Sequence, residues 1–147
     1  MALSRRGQNV GAGHRVRIVV RHQVEHTALS DLQDAGSHFG ALANAAANFD
    51  VSKAVDEATQ VNDRAGTAQG QLDAVPAWPP AASLVADLRA AATAYRQGAN
   101  LFQIAAKAND GEGVKQAATF IDTGSAAITR ATSDIQSLRS QYGFSCP

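Results

Sequence analysis

Apolar and polar residues alternate along most of this chain with the period of packed helices. Ala28, Leu32, Ala35, Phe39, Leu42, Ala46 and Phe49 follow steps of four and three. Such steps keep one stripe of a helix against a neighbour. Leu29 and Ala43 widen the stripe. The spacing predicts a first helix over about His26–Asn48, with Thr27 or Ser30 as its cap and Asp31 and Asp34 favouring the positive end of its dipole. Val51, Ala54, Ala58, Val61, Ala65, Ala68, Leu72 and Val75 repeat the steps and predict a second helix over 51–73, capped by Asp50 or Ser52. Gly66 and Gly70 make it the weakest by propensity.

Leu84, Leu88, Ala91, Tyr95, Gly98, Phe102 and Ala105, flanked by Ala94, Leu101 and Ile104, predict a third helix from Pro80 to about Ala108. Asn109-Asp110-Gly111 reads as a turn. The fourth helix, about Glu112–Tyr142, carries Val114, Ala117, Ile121, Gly124, Ile128, Ala131, Ile135, Leu138 and Tyr142 on one stripe. Gly143 suits the position just past its end.

Between the second and third stripes lies Val75-Pro76-Ala77-Trp78-Pro79-Pro80. Proline fixes φ and lacks an amide donor, so no helix runs through it. The pattern therefore predicts an all-α fold: an antiparallel up-down-up-down four-helix bundle, made of two hairpins joined by a Pro/Trp crossover at 75–80. Two hairpins packing between chains as a dimer is the alternative topology.

Facing positions test this reading. If the first hairpin turns near residue 50, Leu32 meets Ala68, Phe39 meets Val61 and Leu42 meets Ala58. If the second turns near Asp110, Tyr95 meets Gly124 and Ile121 meets Gly98. Large residues then face small ones, as dense packing requires. The two glycines read as notches, and Gly124→Leu should overpack that layer.

Composition changes this picture little. The hydrophobic fraction of 45% suits a globular chain, and 5% aromatics leave the core to Ala, Leu, Val and Ile. No stretch approaches the ~20 apolar residues needed to span a bilayer. Charge adds an asymmetry. Residues 1–24 hold Arg5, Arg6, Arg15, Arg17 and Arg21 without an acid, whereas all 13 acids lie from Glu25 onward. Glycines 7, 11 and 13 discourage a helix there. The expected division is a basic, disordered arm at 1–24 and a bundle at 25–147. An acidic body is a poor nucleic-acid surface. The chain as written carries no export signal, which reads as cytoplasmic by default. A mis-set start would hide such a signal and make the protein extracytoplasmic.

Candidate chemistry is thin. His22-Gln23-Val24-Glu25-His26 spells an inverted zinc-protease motif, and on a helix His22 and His26 share a face with Glu25 available as a base. Nothing marks a third ligand, so the motif reads first as a solvated helix start. His38 reads as a boundary residue. Asp56-Glu57 and Asp31/Asp34 read as solvated faces. Cys146 cannot form an internal disulfide because it is the single cysteine. Trp78 reads as a lid on the bundle end, or as an exposed anchor for a partner protein. The expectation is a non-catalytic interaction or scaffold module without cofactor, self-associating or bound to another protein. A small-ligand- or metal-binding bundle is the alternative.

Overall fold

The computed structural model describes residues 9–143, with side chains from residue 23 onward. Four α-helices follow one another: α1 (Asn9–Ala47), α2 (Val51–Asp73), α3 (Ala82–Ala108) and α4 (Gly111–Tyr142). They form the expected antiparallel four-helix bundle, since chain neighbours pack side by side: α1 with α2, α2 with α3, and α3 with α4. A short 3-10 turn at Pro79–Ala81 opens α3, with proline in the first turn where its missing donor costs nothing.

The stripes form the core. Leu32, Val61, Leu72, Leu84, Leu88 and Tyr95 are fully buried, with Ala28, Ala58, Ala65, Ala91 and Ala131 between them. Each fully buried large apolar side chain contributes about 1.5–3 kcal/mol relative to exposure. Small residues opposite large ones let the backbones approach, and the two helices of each hairpin share the most extensive contacts.

Tyr95 joins the hairpins. A Cβ added at Gly124 would lie 2.5 Å from Tyr95 Cδ1, so only glycine leaves room for the ring. On its other side the ring meets Phe39 of α1 edge-on at 5.0 Å. A Cβ at Gly36 would sit 3.3 Å from the Tyr95 hydroxyl oxygen. The hydroxyl bonds Ser125 Oγ at 3.2 Å. Burial pushes the Tyr95 phenol up, and the Ser125 bond offsets part of that.

Polar pairs fix the helices from outside. Arg64 bonds Asp34 at 3.0 Å and Gln71 bonds Asp31 at 2.9 Å, tying α2 to α1. Arg96 reaches Gln69 from α3 to α2, and Arg130 reaches Asp87 from α4 to α3. The acids read as solvated faces thus include interhelical partners.

Several expectations need correction. The first helix does not start near His26, so Thr27 and Ser30 are not its caps. The backbone is already helical from Asn9, and 9–24 is not an irregular arm. Once packing fixes α1 beside α2, each further helical residue adds a hydrogen bond without a new nucleus. Gly11 and Gly13 cost only about 1 kcal/mol each against Ala. Residues 1–8 lie outside the described residues. The second correction is Phe49, expected on the core stripe and found 91% exposed. Its helix ends at Ala47, so helical periodicity no longer aims the side chain. Ala45 is buried in the last turn, whereas Ala46 is exposed. Ala43 and Ile104, expected to widen the stripes, are also exposed. Val51, the first stripe residue of α2, is 52% exposed because it sits on the end of the bundle.

Candidate functional site

Of His22, Glu25 and His26 in the zinc-protease spelling, only Glu25 and His26 have described side chains. Glu25 is 2% exposed while its neighbour His26 faces solvent. The side chain of His22 lies outside the described residues. Among the described residues, no group of three His, Cys, Asp or Glu is placed to hold a metal ion. His38 is half-buried, with Nδ1 2.6 Å from Glu57 Oε2, and ties α1 to α2. Cys146 lies outside the described residues.

Trp78 sits where the crossover meets the end of α4. Its ring is 5.1 Å from that of Tyr142, and it packs, half-buried, against the core. Beside it is a recess of about 310 Å³ lined by Val75, Pro76, Trp78, Ala82, Val85 and Arg89, among others. The Arg89 guanidinium bonds the Leu72 carbonyl at 3.2 Å and Asp73 at 3.3 Å. It therefore caps the C-terminal end of α2, where a cation is favoured.

The opposite end carries the most exposed large apolar side chain among the described residues, Phe49. Both hairpin turns lie there and share one design. In the first, Asp50 N–H donates to the Ala45 carbonyl at 2.9 Å and Phe49 N–H to Ala46 at 3.1 Å. In the second, Asp110 N–H donates to Ala105 at 2.8 Å and Asn109 N–H to Ala106 at 3.3 Å. These paired bonds close a helix with one left-handed residue. That residue is Asn109 (φ 53°) in the second turn and Phe49 (φ 58°) in the first. Asp50 and Asp110 then cap α2 and α4.

Asparagine tolerates the left-handed region, but a phenylalanine there is strained by about 1–2 kcal/mol. Phe49 also leaves its ring in water. It stands at the rim of an apolar recess of about 330 Å³ between the two turns, walled by Ala46, Val51, Ala54, Phe102, Ala105 and Val114 among others. The sequence reading missed this site, although Asn48-Phe49-Asp50 held a signal: a hairpin turn with an aromatic where Gly or Asn is usual.

Among the described residues no helix is long and apolar enough to cross a membrane. Comparison of the chain with protein-family models, curated proteins and solved structures gives no match.

Proposed function

We propose that this protein is a non-catalytic interaction module that binds a protein partner through the end of the bundle bearing Phe49. One observation carries the reading: an aromatic ring held 91% exposed on a left-handed backbone, beside an apolar recess. Both features cost stability, and the turn does not need phenylalanine, since Asn109 closes the second hairpin in the same way. Buried aromatic anchors dominate binding energy at protein interfaces, and such a ring is pre-positioned for that role. The candidate anchor thereby moves from Trp78, which packs on Tyr142, to Phe49.

Photo-crosslinking tests this. A photoreactive phenylalanine at position 49 should give a discrete adduct with one polypeptide in cells expressing the protein. The same probe at Thr123, on the exposed face of α4, should not. Equal labelling from both sites, or none from position 49, overturns the reading.

The crossover recess supports the second reading, a small-ligand site. Its volume falls at the lower edge of ligand pockets, and it combines apolar walls with one cation. Titration with octanoate, followed by the emission of Trp78, separates the two. A saturable change abolished in Arg89→Gln supports a ligand site; an unresponsive signal counts against it.

A further inference from the structure

We propose that the cleft between α2 and α3 at Arg96 binds a small tetrahedral oxyanion, of the phosphate or sulfate kind. The site lies on the side of the bundle and shares no residue with the recess beside Phe49. It is therefore independent of the interaction reading.

Thr93, Arg96, Gln97 and Asn100 follow steps of three, one and three along α3, which puts them on one face over two turns. Their neighbours Ala92 and Ala99 are fully buried and seat this face at the edge of the core. Gln69, half-buried, stands opposite on α2. These five side chains line a recess of about 210 Å³. Cross-helix ties bracket it: Arg89 meets Asp73 at 3.3 Å on one side, and Gln103 donates to Thr59 at 2.9 Å on the other. The two walls are thus held in place before a ligand arrives, which lowers the cost of ordering on binding.

The chemistry of the lining selects the ligand class. It consists of one guanidinium, side-chain amides and a hydroxyl, with no carboxylate, aromatic or aliphatic side chain. A cation would find no carboxylate, a nucleobase no ring to stack on, and a hydrophobic ligand no apolar wall. An anion finds charge at Arg96. Arg64, Arg89 and Arg130 each reach across to an aspartate on another helix. Arg96 instead donates from Nη1 to the neutral Gln69 Oε1 at 2.7 Å. Its charge therefore has no carboxylate partner among the described residues. With its oxygen committed to Arg96, Gln69 has its amino group left to meet a ligand. The remaining guanidinium N–H groups, the Gln97 and Asn100 amides and the Thr93 hydroxyl can donate as well.

A planar carboxylate would be satisfied by the guanidinium fork alone. Donors drawn from two helices suit an anion with acceptor oxygens in several directions. The recess is smaller than the ~300 Å³ lower edge of drug-sized pockets, as a site for so small a group should be.

Amide correlation spectra of the full chain test this, with sodium phosphate exchanged for sodium chloride at constant ionic strength. Phosphate should give saturable shifts concentrated at Gln69, Thr93, Arg96, Gln97 and Asn100, a readout that needs no variant. Sulfate should do the same, and acetate should bind at least tenfold more weakly, a difference of about one charge-assisted hydrogen bond. Arg96→Gln should weaken phosphate binding about 10- to 100-fold. Arg96 is exposed, so this variant should fold as the wild type does. Arg139→Gln, which removes another exposed arginine, should bind phosphate like the wild type. Shifts that never saturate, or that spread over the other lysines and arginines, would overturn the proposal. So would undiminished binding in Arg96→Gln, or acetate binding as tightly as phosphate. None of these outcomes bears on the position-49 crosslink, so each reading can fail alone.

Discussion

At the scale of single residues, space decides more than propensity. Alanine is the better helix former, by about 1 kcal/mol over glycine. Gly66→Ala and Gly70→Ala should therefore raise stability by about 0.5–1 kcal/mol, since a Cβ at either site meets nothing within 4 Å. Gly124→Ala should go the other way, by about 1–3 kcal/mol, because its Cβ would overlap the Tyr95 ring. Paired thermal or urea melts check both signs, and a stabilised Gly124→Ala would contradict the packing. Tyr95 adds a pH dependence. Burial raises its phenol above the ordinary value of 10.0, so the unfolded chain loses this proton first. The associated stability is intact below pH 10 and is lost as pH rises through the folded value. Urea midpoints should fall above pH 10 in the wild type, and less steeply in Tyr95→Phe.

Elements are set by their ends. The Asp110 carboxylate accepts the Glu112 and Gly113 amides, both at 3.1 Å, and so caps α4. Asp110→Ala should cost about 0.5–2 kcal/mol. Gly113→Ala should also destabilise, because its Cβ would lie 2.7 Å from Asp110 Oδ2 and 2.8 Å from Ala105 Cβ. Urea unfolding measures both, and an unchanged midpoint in either would count against this cap. The turn at Asp110 was legible because Asn and Asp have strong local preferences. The start of α1 was not: local preference favours no helix across Gly11 and Gly13, and propagation from a packed helix overrides it. The aim of Phe49 was hidden for a related reason. A stripe predicts direction only while the backbone stays helical, and one left-handed residue resets it.

For the whole molecule, the question is whether two hairpins behave as one body. Tyr95 of the second hairpin lies between Gly36 and Phe39 of the first and Gly124 of its own. Such a shared layer should make unfolding cooperative. The emission of Trp78, at the crossover, and helical circular dichroism should report one coincident thermal transition. Two separated transitions would mean that the hairpins fold independently.

The class of fold, the second, third and fourth helices, and the Tyr95–Gly124 and Gly98–Ile121 contacts could all be read along the chain. Each follows from periodicity and from matching volumes across a turn, information that is local or mirrored about a single point. Which surfaces the bundle leaves open depends on how the helices pack. Packing buried Glu25 beside an exposed His26, laid Trp78 on Tyr142, fitted Gly36 to the Tyr95 hydroxyl, and set Phe49 at the edge of a recess built by both turns. The last three placements join residues 40 or more positions apart or depend on one backbone angle, and no repeat along the chain encodes either.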